Sequence, residues 1–290
     1  IWGRRKVRSL PDEYSAVILS DGGLRLECGM NVVDTHCHID LPAVDGDRSD
    51  VLERCQLSGV SRIVVPGVLS KTWGHLQQVC DADPALYPCF GLHPFYLAQH
   101  VTAALDRLDQ QIERWRPVAV GEIGLDYFVE GMDHKRQISL FEDQLSVAAN
   151  ASLPVLLHVR KSHDAVLASL KKRPVKGGIC HAFNGSLQQA DRYIELGFKL
   201  GFGGMLTYER SHKLQRLAKQ LPLEAIVLET DAPDMTVASH HGQRNSPEYL
   251  PECLQALASA RDEDIDSVAL KTTANAEAIF DFEQYNSTRV

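Results

Sequence analysis

Short apolar runs recur along the chain, and a longer stretch with helical periodicity follows most of them. The runs lie at residues 32–33, 63–65, 87–92, 118–120, 155–157, 178–180, 198–202 and 226–228. Stretches such as "LDRLDQQIERW" and "HKLQRLAKQL" place apolar residues three and four apart, as an amphipathic helix does. Eight alternating strand and helix units in about 230 residues predict an α/β protein with a single (β/α)8 barrel domain of the TIM type.

A doubly wound open sheet is the alternative architecture for such an alternation of strands and helices. The glycine-rich dinucleotide fingerprint that would support it does not follow the first apolar run. Gly59, Gly197 and Pro222 stand where helical stretches should end. Two more helical stretches, at residues 247–260 and 264–280, are predicted to close the barrel and to cover its bottom or its side.

Residues 1–29 differ from the rest of the chain, since they show no strong helical or strand periodicity. The chain does not begin with methionine, and Met30 stands directly before the first apolar run. We therefore expect residues 1–29 to be a leader or an upstream extension that is not essential, and the barrel domain to span residues 30–290. The alternative is an N-terminal β-hairpin that turns at residues 21–23, "DGG".

The composition fits a globular protein with one large core, since 44% of the 290 residues are hydrophobic and 23% are charged. No apolar run approaches the length needed to cross a bilayer, so we expect no membrane association. Seven widely spaced cysteines without a CxxC pair indicate free thiols and a cytoplasmic protein. The net charge of −8 argues against binding nucleic acid through a general basic surface, but it allows a local cationic groove.

Histidine and carboxylate side chains stand at the ends of six of the eight apolar runs. In "NVVDTHCHID", His36 and His38 are two residues apart, so on a strand both imidazoles point to the same side. The other residues that end a run are His93, Glu122, His158, His181, Glu229 and Asp231. Catalytic residues of a (β/α)8 barrel come from the carboxyl ends of its strands, so these side chains are predicted to meet at one mouth.

Six of these residues are the predicted metal ligands: His36, His38, Glu122, His158, His181 and Asp231. Any one histidine after an apolar run could be a hydrogen-bonded core residue, but recurrence at equivalent strand ends favours ligation. Four imidazoles and two carboxylates exceed what one tetrahedral zinc needs, and they suit two divalent ions bridged by a carboxylate. The residue types admit zinc, nickel, manganese or magnesium.

The chain resembles the TatD-type metal-dependent deoxyribonucleases and hydrolases, and among them a YjjV-like branch. The motifs that carry the resemblance run in order from Asp34 to Pro247: "DTHCHID", "GLHP", "VGEIGLDY", "QLSVAANASLPVLLHVR", "HAFNGS", "ETDAP" and "RNSP". The resemblance implies that a first metal is held by His36, His38, Glu122 and Asp231, and a second by Glu122, His158 and His181. Many members carry histidine where Phe95 stands and glutamate where Ser246 stands, which leaves substrate details open.

The residues and the resemblance together predict hydrolysis of phosphodiester bonds in DNA by a metal-activated hydroxide. Asp231 is expected to orient the attacking water and accept its proton, with Glu122 as the other catalytic carboxylate. Arg160, His93 and Arg244 are the expected substrate contacts, and Arg160 is preferred because it shares the strand face of His158. No obligate protein partner is indicated.

Two other functions fit parts of the same pattern. A metallohydrolase of an ester or amide bond, for example one that deacylates D-aminoacyl-tRNA, could use the same ligands, and only the pocket wall would distinguish it. A catalytically inactive metal-binding module would be expected to lack a ligand, and none of the six predicted ligands is missing from the sequence.

Overall fold

The computed structural model describes residues 31–101 and 103–288, and before them two short strands, Val17–Ile18 and Leu24–Arg25. Eight parallel strands form one sheet in which each strand pairs with the next along the chain. The first and last strands meet where Thr35 N–H donates to the Leu228 carbonyl at 3.0 Å. The predicted (β/α)8 barrel is therefore confirmed. Its strands are β1 Val32–Asp34, β2 Val60–Pro66, β3 Leu86–Phe90, β4 Ala119–Asp126, β5 Val155–Arg160, β6 Gly178–Cys180, β7 Phe198–Phe202 and β8 Ile226–Leu228.

Helices follow the strands and surround the barrel. Gly59 and Gly197 have φ angles of 84° and 81° directly after two helix ends, in the left-handed region that glycine adopts without strain. Ser186 begins another helix with a capping box that pairs it with Gln189. The α-helices of the described part are α1 Arg48–Leu57, α2 Trp73–Ala82, α3 Ala104–Trp115, α4 His134–Ala151, α5 His163–Lys172, α6 Leu187–Glu195, α7 His212–Gln220, α8 Leu250–Arg261, α9 Ile265–Ile279 and α10 Phe282–Thr288.

The core has two layers because strand residues alternate between the inside and the outside of the barrel. On β5, Val155 and Leu157 belong to the apolar layer beneath the surrounding helices, whereas Leu156 belongs to the apolar filling of the barrel. His158 shares the inward parity of Leu156, one step closer to the carboxyl end. The interior is therefore apolar below and carries polar groups only near the mouth.

The C-terminal helices cover the bottom of the barrel, as the sequence pattern predicts. Phe280, Phe282 and Tyr285 are buried in the same apolar cluster as the barrel-filling residues. The ring of Phe282 lies 4.5 Å from the ring of Tyr87, which stands near the start of β3. This end of the barrel is thus sealed by aromatic side chains, and the polar mouth lies at the opposite end.

Part of the N-terminal segment forms the short antiparallel pair. Val17 pairs with Arg25 and Ile18 with Leu24, which is the arrangement of the hairpin alternative. The other residues of the 1–29 segment lie outside the described part, so its status as a dispensable extension stays a prediction. Among the described helices, none has the length and apolar character required to cross a membrane.

A chain that begins at Met30 should fold without residues 1–29, because every barrel strand and its closing hydrogen bond follow that residue. We expect the melting temperature to change by less than about 4 °C, a shift that corresponds to roughly 1 kcal/mol in a domain of this size. Circular dichroism melts of the two chains provide the comparison. Loss of the cooperative transition in the shorter chain would show that the segment is structural.

Candidate metal centre

The predicted residues converge at the carboxyl ends of the strands. His36 and His38 follow β1, Glu122 lies in β4, His158 lies in β5, His181 follows β6 and Asp231 follows β8. His36 and Glu122 are buried, at 0% and 2% exposure, although both are polar. Buried polar groups need partners, and here the partners are other members of the same cluster.

Four donor atoms form the first group in the cluster. The Nε2 atoms of His36 and His38 lie 3.2 Å apart, and Glu122 Oε2 lies 3.3 and 3.5 Å from them. Asp231 Oδ1 lies 3.6 and 3.7 Å from the same two nitrogens. A tetrahedral ion with bonds of about 2.1 Å separates its ligands by about 3.4 Å. His36, His38 and Asp231 therefore have about the mutual spacing that one divalent ion requires, and Glu122 Oε2 lies at similar distances from the two histidines.

A second group gathers around the other oxygen of Glu122. Glu122 Oε1 lies 2.9 Å from His158 Nδ1 and 3.2 Å from His93 Nε2. His181, which the resemblance assigns to the second metal, lies beside the first group instead: its ring stacks on that of His36 at 3.9 Å, and its Nε2 lies 3.9 Å from Asp231 Oδ2. Glu122 thus presents one oxygen to His36 and His38 and the other to His158 and His93.

A β-bulge brings Glu122 into this position. Gly121 pairs with Leu156 and Ile123 pairs with Leu157, so Glu122 is an extra residue without a partner on β5. In a regular strand, a residue next to Gly121 would point away from the barrel interior. The bulge redirects the side chain inward, as bulges near functional sites often do.

The carboxylates of the cluster shift the pKa values of the histidines and favour positive charge. Burial alone would lower the pKa of His38 and of His181, but the neighbouring carboxylates outweigh it and raise the two values to about 9 and about 10. Burial would likewise raise the pKa of Glu122, yet the surrounding histidines hold it well below its usual range. The cluster therefore attracts positive charge, which a divalent ion can supply in place of protons.

Two buried carboxylates that are not among the six predicted ligands orient the histidines. Asp126 Oδ2 lies 3.1 Å from His158 Nε2, and Glu229 Oε1 lies 3.1 Å from His181 Nδ1. A neutral imidazole has one N–H. When it is donated to the carboxylate, the other nitrogen faces the cluster as a lone pair, which is the orientation that metal-binding histidines adopt.

Glu229 fits behind His181 because β7 has a glycine next to it. A Cβ at Gly201 would lie 2.1 Å from Glu229 Oε2, so no other residue leaves room for this carboxylate. Glu229 Oε1 also accepts the N–H of Ala182 at 2.7 Å.

The place of Asp126 in the site could have been predicted from the sequence, because Asp126 has the same strand parity as Glu122 and ends β4.

His93 contacts the cluster, but the nitrogen that faces the cluster carries a proton and has no lone pair for an ion. Its Nδ1 accepts the backbone N–H of Phe95 at 3.1 Å, which caps the short helix Pro94–Gln99. In a neutral ring, the proton is then on Nε2, the atom that faces Glu122 Oε1. Burial lowers the pKa of His93 to about 4, which keeps the ring neutral. His93 is thus set to donate a hydrogen bond to Glu122.

The two predicted arginines lie in different surroundings. Arg160 ends β5 with an exposed side chain, and its guanidinium carbon lies 3.8 Å from the centre of the Phe128 ring. Arg244 donates to both oxygens of Asp47, at 2.8 and 2.6 Å, and to the Ala43 carbonyl at 2.7 Å. Arg160 is therefore free to meet a ligand, whereas Arg244 joins two loops.

Histidine and carboxylate side chains that meet at the mouth of a (β/α)8 barrel are typical of metal-dependent hydrolases. The family model described as TatD related DNase matches residues 33–281. The chain therefore belongs to the TatD family of metal-dependent hydrolases, and the resemblance seen in the sequence motifs is confirmed.

Relatives of this chain include both uncharacterised and named proteins. The metal-dependent hydrolase YjjV of Escherichia coli, described as uncharacterized, is 40% identical over 252 residues, which cover 86% of this chain and 97% of YjjV. A crystal structure of YjjV matches with a TM-score of 0.84 at 38% identity and covers 87% of this chain and 98% of that one. A Pantoea vagans protein named 3'-5' ssDNA/RNA exonuclease TatD is 29% identical over 242 residues, which cover 81% of this chain and 93% of that protein.

The contacts of His93 lead to a prediction that separates a ligand from a supporting residue. In His93→Asn the shorter amide can still cap the helix but cannot reach Glu122. We expect metal content at saturating metal to be unchanged and hydrolysis to fall about 10- to 100-fold, as for other residues that orient ligands.

The matched control is His158→Asn, which removes a predicted ligand from the same side of Glu122. This variant should retain less metal after dialysis, measured by inductively coupled plasma mass spectrometry. Equal metal loss in both variants would show that His93 is itself a ligand.

Proposed function

We propose that this protein hydrolyses phosphodiester bonds in DNA with two divalent ions at the mouth of its barrel. The observation that carries the proposal is Glu122, whose two oxygens face two separate groups of histidines. Two divalent ions held side by side are a recurrent device for phosphoryl transfer. The Pantoea vagans relative, named an exonuclease of single-stranded DNA and RNA, supports a nucleic-acid substrate.

His36, His38, Glu122 and Asp231 would hold one ion, and Glu122, His158 and His181 the other. The imidazole nitrogens suit zinc, nickel or manganese, while the carboxylates also admit magnesium. When bound, such ions acidify a water molecule and neutralise charge on phosphate oxygens. Asp126 and Glu229 would keep the second pair of histidines in the orientation that ligation needs.

Asp231 is the proposed proton acceptor. Burial raises the pKa of this carboxyl to about 6 even though His181 and His38 oppose the shift. Divalent ions bound beside this carboxyl would lower its pKa, so the assignment of Asp231 as the base rests on its position. Oδ1 faces the first group of ligands, so Oδ2 is the atom that would take the proton of the attacking water. The negative charge of Glu122 would be divided between its two oxygens, one facing His36 and the other facing His158.

The three proposed substrate contacts differ in what supports them. Arg160 has an exposed guanidinium on the rim, and a phosphate can accept two hydrogen bonds from it. His93 already faces Glu122, and Arg244 already pairs with Asp47, so each would exchange a protein partner for substrate. We therefore assign the flanking phosphate to Arg160 first.

We also propose that the protein works in the cytoplasm. The cysteines of the described part are buried and form no disulfide, which fits a reducing compartment. They are Cys37, Cys55, Cys80, Cys89, Cys180 and Cys253.

A comparison of two substrates tests the reaction class. After treatment with a chelator, the protein should cleave a single-stranded oligodeoxynucleotide only when zinc, nickel, manganese or magnesium is added back. A D-aminoacyl-tRNA is assayed beside it under the same conditions, and Glu122→Gln serves as the control with a disrupted bridge. Deacylation by the reloaded protein without any DNA cleavage would replace the nuclease with the acyl-transfer alternative.

Asp231→Asn should keep the fold and remove nearly all turnover. Asp231 has a φ of 56°, a left-handed conformation that asparagine also tolerates. The amide oxygen can still act as a ligand, but it cannot accept a proton, so kcat should fall about 100- to 10,000-fold. Steady-state kinetics with metal content measured on the same samples make the check. Full turnover at full metal content would exclude Asp231 as the base.

A further inference from the structure

Two phenylalanine rings are exposed at the mouth of the barrel. Phe95 and Phe128 are 50% and 49% exposed, whereas the other seven phenylalanines of the chain are buried. Phe95 comes two residues after His93, and Phe128 comes two residues after Asp126. Since His93 touches Glu122 and Asp126 touches His158, both rings lie on the rim of the proposed hydrolytic centre.

Both aromatic residues are attached to the centre through their backbones. The N–H of Phe128 donates to Asp126 Oδ1 at 2.9 Å, and the other oxygen of Asp126 faces His158. The N–H of Phe95 donates to His93 Nδ1 at 3.1 Å. The backbones of both residues are therefore anchored beside the histidines and carboxylates of the centre.

Positive charge accompanies one of the rings. The Arg160 guanidinium carbon lies 3.8 Å from the centre of the Phe128 ring, and Lys161 Nζ lies 4.6 Å from it. Guanidinium planes and aromatic rings are the two surfaces on which proteins stack unpaired bases, and both cations can contact phosphate. An apolar face with two cations on it matches a nucleotide, which has a flat base and an anionic phosphate.

We propose that Phe128 and Phe95, together with Arg160 and Lys161, form a base-stacking subsite for single-stranded nucleic acid. The proposal rests on the proposed function, since the subsite would place a phosphodiester next to the hydrolytic centre. The bases stack on the rings and on the Arg160 plane, and the cations bind the flanking phosphates.

The occupant is unpaired because a base within a duplex already has both faces covered by its neighbours. Only a single strand can turn a base onto a protein ring without first breaking a stack. The net charge of −8 makes general attraction of a polyanion weak, so the strand has to be held by such local contacts. The subsite therefore favours single strands over duplexes.

The test compares two strands of equal length: a normal oligodeoxynucleotide and one whose residues all lack bases. Phe128→Leu and Phe95→Leu keep an apolar side chain but remove the stacking surface. Each should raise KM for the normal strand about 5- to 150-fold, the effect of losing one stacked base, and leave KM for the abasic strand unchanged. The control is Leu270→Ala, which removes an exposed apolar side chain from α9, away from the mouth.

The outcomes separate the subsite from the reaction. If the wild type cleaves the normal strand and both phenylalanine variants do so with the wild-type KM, the subsite is wrong and the proposed function stands. Equal losses on both strands would also overturn the subsite, because they would show a role that does not involve bases. A wild type that neither binds nor cleaves the normal strand would overturn the proposed function and the subsite together.

Arg160→Gln distinguishes phosphate contact from base stacking. This variant should weaken binding of both strands, and the normal strand should lose more because it also loses a stacking plane. The loss on the abasic strand should be largest at low salt. The slope of log K against log salt should fall by about one, the change expected for one lost phosphate contact. A loss confined to the normal strand would show that Arg160 acts only as a stacking plane and would contradict its proposed phosphate contact.

Discussion

The buried carboxylate of Glu122 is the charge on which the mouth of the barrel depends. An isolated carboxylate at this depth is costly, and removal of one partner from a buried ion pair typically costs about 3–5 kcal/mol. Glu122 meets this requirement with histidines on both sides, His36 and His38 at one oxygen and His158 at the other. The same side chains thus stabilise the charge and provide the donor atoms for ions, so folding and metal binding use one set of contacts.

This charge also constrains the backbone around it. A Cβ at Gly91 would lie 2.6 Å from the Gly121 carbonyl carbon, because the end of β3 approaches the bulge of β4 so closely. The glycines of "FGLHP" and "AVGEIG" are therefore parts of one packing arrangement that delivers Glu122 inward. Gly201 has the corresponding role for Glu229, behind the opposite side of the cluster. Mutations at these glycines would disturb the donors without touching a donor residue.

Much of the fold and most of the cluster could be predicted from local patterns. The spacing of His36 and His38, and the repeated placement of polar residues at strand ends, depend only on strand parity and on the common direction of parallel strands. The bulge at Glu122 could not be predicted, because it arises from register with β5. Nor could the single available tautomer of His93, which is set by the backbone N–H of Phe95 in a three-dimensional turn. Roles that depend on which atom faces which partner need coordinates.

The proposed polyanionic substrate would meet an electrostatic conflict at the site of this acidic protein. The carboxylates of Glu122, Asp126, Glu229 and Asp231 all lie at the mouth, and each would repel an approaching phosphodiester. Divalent ions reverse the sign of this local field, because they are the largest charges in such a site. Affinity for substrate and affinity for metal must then be coupled, since each favours the other by the same factor. In the proposed subsite, the exposed cations and rings of the rim would act outside this field, where a strand could first be held.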